Sequence, residues 1–146
     1  MSTQDSKALV RRTLEEFYNH GNMDLADELF APDFVNHDPA VPHSGDLETL
    51  KQVTLARNAG FPDGQTTIED LIAEGDRVTK RWAYQGTHTA EWNGIPPTGK
   101  RVTVTGITIY RIADGKIAEC WWGYDVLGIL QQLGVAPLPE QTNTDA

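Results

Sequence analysis

Residues 101–124 constrain the fold more than any other stretch of the chain. Val102, Thr103, Val104, Thr105, Ile107, Thr108 and Ile109 are all β-branched. Such side chains are stiff in a helix and pack well on a pleated surface. Asp114-Gly115 follows, a dipeptide that tolerates the left-handed backbone of a two-residue hairpin turn, so residues 116–124 are expected to return antiparallel. Upstream, residues 66–74 and 77–88 flank a second turn at Gly75-Asp76. Four strands of roughly twelve residues cannot stay flat, and the sheet is expected to twist and coil. Gly86 and Gly106 are natural places for bends or bulges.

The first half has helical spacing instead. Leu9, Val10, Thr13, Leu14, Phe17 and Tyr18 recur every three or four residues, which predicts one amphipathic helix over 5–19. A short helix opens after Asn22, buries Leu25, Leu29 and Phe30, and ends before Pro32. Residues 33–38 read as extended. Asp46 caps a third helix bearing Leu47, Leu50, Val53 and Leu55, with Gly60 as its stop. A last helix covers about 126–132, closed by Gly134 and Pro137. Helices first and an antiparallel meander afterwards give an α+β domain. The expected form is a strongly curved antiparallel sheet, a cone-shaped barrel with the N-terminal helices packed across it and a cavity at the open end. Residues 1–137 form a single domain, and residues 138–146 a polar tail.

With 146 residues, 39% of them apolar, the chain can build one core without disulfide or metal staples. Its formal charge of −9 repels phosphate backbones and anionic headgroups, which argues against nucleic acid and membrane surfaces as partners. Residues 2–7 are polar and no apolar leader follows, so a cytoplasmic protein is expected. The single cysteine, Cys120, has no neighbouring base or cation and reads as a packed thiol.

Asp125 is the sharpest chemical candidate. Trp121, Gly123 and Asp125 share one face of a strand, and a carboxylate beside an indole and a glycine gap is poorly hydrated, the setting of a general base. The competing reading is an N-cap, with Asp125 accepting from the amide of Leu127 or Gly128. His37 and His88 either hydrogen-bond a substrate carbonyl or are ordinary strand-end histidines. Arg81 is either an inter-strand ion pair or a pocket residue, and strict alternation sets it opposite His88 unless Gly86 marks a bulge. His37 and His43 lack a second pair of ligands, so no metal site is expected. No phosphate loop, dinucleotide fingerprint, serine elbow or CxxC motif is present, and chemistry without a cofactor is the consistent expectation.

Phe34-Val35-Asn36-His37-Asp38-Pro39, Arg81-Trp82 with Gly86-Thr87-His88, Asn93-Gly94-Ile95-Pro96-Pro97-Thr98-Gly99-Lys100, and Asp114-Gly115-Lys116 through Trp121 to Asp125-Val126-Leu127-Gly128 resemble the SnoaL-like polyketide cyclases. These belong to the nuclear-transport-factor-like and ketosteroid-isomerase-like superfamily. The resemblance implies a cone-shaped α+β barrel, a homo-oligomer (dimer or tetramer), and an aldol ring closure on a hydrophobic small molecule without metal or cofactor. It assigns general acid/base work to Asp125, with His88 and His37 lining the site. Trp121, Tyr18, Phe17, Arg81 and Asn36 are then the candidate substrate-binding residues. Glu91 stands where the family often has glycine. Two rival readings accompany this one. The first is epoxide hydrolysis or isomerisation, with Arg81 bridging Asp125 and Glu119 or Glu91; the second is a non-catalytic small-molecule-binding domain.

Overall fold

A computed structural model describes residues 1–41 and 45–137; the tail expected over 138–146 lies outside them. Helix α1 spans Thr3–Arg12 and is capped by a reciprocal pair, Ser2 Oγ accepting from the Asp5 amide while the Asp5 carboxylate accepts from the Ser2 amide. The predicted helix does not continue unchanged to residue 19. The Thr13 hydroxyl donates to the Leu9 carbonyl at 2.8 Å, and the chain then widens into a π-helix over Thr13–Asn19. The wide turn buries Thr13, Leu14, Phe17 and Tyr18 together. A 3₁₀ turn at Met23–Leu25 and a single turn α2, Ala26–Leu29, lead into strand β1, Phe30–His37. Pro32 begins no loop but lies in β1, which is an edge strand and tolerates a missing amide.

Helix α3, Leu47–Gly60, starts at Asp46 as expected, the Asp46 carboxylate accepting from the Thr49 amide at 2.9 Å. Strands β2 (Gln65–Glu74), β3 (Arg77–Thr87), β4 (Arg101–Ala113) and β5 (Lys116–Tyr124) form the antiparallel meander. Helix α4, Val126–Gln132, follows β5 and is the last element among the described residues. The sheet order is β1-β5-β4-β3-β2, and β1 runs parallel to β5. The sheet is therefore mixed rather than wholly antiparallel, and it curves without closing into a barrel.

The glycines act differently from the expectation. β3 and β4 pair residue for residue from Arg77↔Arg111 to Thr87↔Arg101, with no bulge at Gly86 or Gly106. Register shifts instead fall between Ile68 and Asp70, between Arg111 and Ile112, and between Phe30 and Val35. Gly106 stands beside Trp82 in the ladder, and a Cβ there would collide with the indole. Gly86 and Gly64 likewise leave room for the Tyr84 hydroxyl.

Alternation sorts the sheet into two faces. Val78, Lys80, Trp82 and Tyr84 of β3, Val102, Val104, Thr108 and Tyr110 of β4, and Cys120 of β5 are buried under the helices. Ile107 and Ile109 of β4 and Ile72 of β2 are exposed on the other face. Two clusters make the core: Val10, Phe17, Leu29, Phe30, Tyr110 and Ile117 at the closed end, and Phe61, Trp82, Tyr84, Val102 and Leu133 toward the open end. No helix among the described residues is long and apolar enough to cross a membrane.

Candidate active site

A cavity of about 440 Å³ lies where the concave sheet, α3 and α4 fail to meet. Trp82, Tyr84, Val102 and Val104 form its floor, Trp122 and Tyr124 one wall, and Val53, Thr54 and Arg57 of α3 another. Trp92 stands at the rim, on the loop after β3. There Asn93 and Gly94, both with positive φ, turn the chain so that Trp92 pairs with Ile95. The Thr89 amide donates to the Gly60 carbonyl and fixes this loop against the end of α3. Gly60 is more than a helix stop, because a Cβ there would strike Trp92.

The polar groups in this apolar space are few. Asp38, just past β1, accepts at Oδ1 from the Tyr124 hydroxyl at 2.6 Å and from the Ala40 amide at 2.8 Å. Burial, together with the Asp38 charge, pushes the Tyr124 phenol well above its ordinary value. The Tyr18 hydroxyl is buried without a hydrogen-bond partner, and burial raises its ionisation well above the usual range. Arg57 donates to the Tyr18 carbonyl at 3.0 Å and lies 5.3 Å from the Tyr84 ring centroid, but its Nε is buried and unpartnered. The Tyr18 phenol also feels two opposing charges, Arg57, which favours its ionisation, and Asp38, which opposes it. A carboxylate, buried phenols and a guanidinium on the walls of one cavity can take a proton from a ligand and stabilise negative oxygen on it.

Asp125 is not part of this wall. Trp121, Gly123 and Asp125 do share a face of β5, as parity requires, but it is the outer one. Cys120, Trp122 and Tyr124 point inward. Asp125 is exposed and is the N-cap of α4, its Oδ1 accepting from the Gly128 amide at 2.8 Å. Trp121 is correspondingly outside. It stacks on His37 with ring centroids 5.4 Å apart and planes at 9°, and Arg77 lies over its ring. His37 Nε2 meets Glu119 Oε2 at 2.7 Å, and Arg111 holds the other oxygen of the same carboxylate. These contacts lower the Glu119 pKa, the His37 hydrogen bond first. Arg81 is exposed and bound to Asp70 at 2.7 Å, which leaves it no role between Asp125 and Glu119 or Glu91. The epoxide-hydrolysis geometry is therefore absent.

His88 is on the inner face but fully buried. It stacks on Phe61, and its Nδ1 accepts from the Thr98 amide at 3.2 Å, leaving Nε2 as an unpartnered donor. It holds the loop closed from behind the wall. Asn36 is also inward and buried, with its Oδ1 accepting from Trp122 Nε1 at 2.7 Å, so it orients a wall residue. Phe17 is core, edge-on to Tyr18 and Phe30. Of the residues singled out from the sequence, Tyr18 alone lines the cavity. Asp38 and Arg57 were not foreseen. Asp38 belongs to the Asn36-His37-Asp38 segment, and Arg57 is one turn after Val53 on α3, so each carried a weak positional signal. Among the described residues no three His, Cys, Asp or Glu side chains converge as metal ligands, and His43 lies outside those residues.

A family model described as SnoaL-like polyketide cyclase matches residues 8–133. The aklanonic acid methyl ester cyclase DnrD of Streptomyces peucetius is 32% identical over 145 residues, covering 96% of this chain and 97% of that one. The nogalonic acid methyl ester cyclase of Streptomyces nogalater is 33% identical over 122 residues, 80% of this chain and 89% of that one. Among solved structures, TsrD from Streptomyces laurentii superposes with a TM-score of 0.81 at 29% identity, covering 93% of this chain and 99% of the other.

Proposed function

Because the chain belongs to the SnoaL-like polyketide cyclases, we propose that its cavity closes a ring in a polyketide-like or aromatic carbonyl compound by aldol-type acid/base chemistry, with Asp38 as the base. The observation that carries this reading is the placement of one carboxylate and three donors without a partner among the described residues, Tyr18 Oη–H, Tyr84 Oη–H and Arg57 Nε–H, around a cavity walled mainly by aromatic and aliphatic side chains. The Tyr124 hydroxyl and the Ala40 amide occupy Oδ1 of Asp38, and Oδ2, which has no partner among the described residues, takes a proton from a methylene between carbonyls. Tyr18 and Arg57 hydrogen-bond the enolate oxygen as it forms, and the new alkoxide takes back a proton from Asp38. Trp82, Trp92 and Trp122 supply flat apolar surface for an aromatic ligand. Flanking carbonyls already acidify the methylene, so the base need supply only about 10²–10⁴-fold, with proximity of the two ends supplying more. No step calls on a metal or cofactor.

The test uses aklanonic acid methyl ester, the compound for which DnrD is named, as first substrate. Asp38→Asn is expected to lower ring closure by at least about a hundredfold while ligand binding, read by tryptophan emission, is kept. An Asp38→Asn protein that cyclises at the unaltered rate ends the proposal.

A further inference from the structure

Lys80 is used by none of the chemistry above, and it is the least expected side chain in the core. It is 1% exposed, on the inner face of β3 between Val78 and Trp82. Its Nζ lies 5.3 Å from the Tyr18 ring, 5.2 Å from Tyr110 and 5.3 Å from Trp122. No carboxylate pairs with it among the described residues. The ladder sets Lys80, Thr108 and Trp122 side by side across β3, β4 and β5. Tyr18 and Trp122 are themselves cavity wall, edge to face at 5.7 Å. The amine therefore stands one ring behind the inner end of the cavity, between two phenols, Tyr18 and Tyr110, whose hydroxyls are both buried and unpartnered.

We propose that Lys80 captures carbonyl compounds: its Nζ condenses with an aldehyde or ketone carbon of a ligand seated in the cavity, forming an imine. The nitrogen lone pair makes the C–N bond as the carbonyl π pair moves to oxygen, giving a carbinolamine. The C–O bond then breaks, the nitrogen lone pair becomes the second C–N bond, and the oxygen leaves as water with both amine protons. A ligand reaches the amine when the Trp122 indole turns from its Asn36 hydrogen bond.

A structural role for the cage alone, three rings holding an ammonium ion, fits the balance of forces poorly. Burial, with the nearby Arg57 charge, brings the amine down to about 7, so much of it is neutral and nucleophilic at neutral pH. The titratable and charged groups around it are Tyr18 from the π-helix, Tyr110 from β4, Cys120 from β5 and Arg57 from α3. None is an anion at neutral pH: burial raises both phenols and the thiol well above their usual range.

The experiment treats the unaltered protein with 2-naphthaldehyde and sodium cyanoborohydride, then maps the reduced adduct over Lys7, Lys51, Lys80, Lys100 and Lys116. An ordinary lysine is neutral to only about one part in three thousand at pH 7. Lys80 is expected to label at least about tenfold faster than any other lysine, with a rate that reaches half its plateau near pH 7. The alcohol 2-naphthalenemethanol, at a concentration that saturates the change in tryptophan emission, is expected to slow it. Labelling of Lys80 no faster than the other four, or undiminished by the bound alcohol, overturns the proposal. Lys80→Met should abolish the fast adduct, and where that variant does not fold the mapping of unaltered protein still decides. This readout needs no turnover, so it is independent of whether Asp38 drives ring closure.

Discussion

Asp125 satisfies one of the orphan amides of α4, and its carboxylate faces solvent. Asp125→Ala should therefore cost about 1 kcal/mol of stability, the usual cost of a lost N-cap, measured by urea denaturation. Turnover of the folded protein should stay within about threefold of the unaltered value, in contrast to Asp38→Asn. Strand parity correctly groups Trp121, Gly123 and Asp125, but parity alone does not say which group faces in. Hydropathy usually settles that, and here it does not. The outer face carries Ile107 and Ile109, 49% and 38% exposed, so both faces of the sheet look apolar. Lys80 carried the missing clue: it shares parity with Trp82 and Tyr84, an arrangement that is either a buried lysine or an exposed aromatic pair.

At the level of elements, what is local was legible and what is set by packing was not. The Asp114-Gly115 turn, the Asp46 cap and the β-branched run of β4 each write their structure into a few neighbouring residues, and β4 and β5 lie within a residue of the expected limits. The parallel pairing of β1 with β5 joins residues more than eighty apart, and nothing near Phe30–His37 announces its direction. The π-helix begins at Thr13, whose hydroxyl bonds back to Leu9, and periodicity reads it as one more helical turn. Gly106 looked like a bend because glycine weakens strands. Its real contribution is empty space: the Trp82 indole lies over it and donates to Thr108 Oγ1 at 2.9 Å. Gly106→Ala adds one methyl where neither the indole nor the Gly123 carbonyl can easily retreat. The expected result is a loss of about 1–3 kcal/mol and a changed tryptophan emission from the displaced ring. An alanine variant as stable as the parent, with unchanged emission, would show that the floor is plastic.

For the whole molecule, the buried ionisable groups set an unusual dependence of stability on pH. Lys80 titrates at about 7 when folded and at its ordinary 10.5 when unfolded. Between those values the unfolded chain binds the extra proton, so stability rises with pH through that window; below about 7 both states are protonated and the penalty is full and constant. Cys120, Tyr18 and Tyr110 act in the opposite sense. Burial holds them neutral in the fold, while the unfolded thiol ionises near 9 and the phenols near 10, so stability falls as pH climbs past those values. On the acid side, Glu119 has a depressed pKa, so its stabilisation is present above the ordinary carboxylate value of 4.5 and is lost as pH falls through its folded value. Urea denaturation should therefore show a gain of about 2–3 kcal/mol from pH 7 to 9, a level stretch to about 10, and a fall beyond it. Lys80→Met should be more stable than the parent at pH 7 and flat from 7 to 9. A parent profile that peaks at neutral pH and matches the methionine variant would mean that the ring cage keeps the lysine charged.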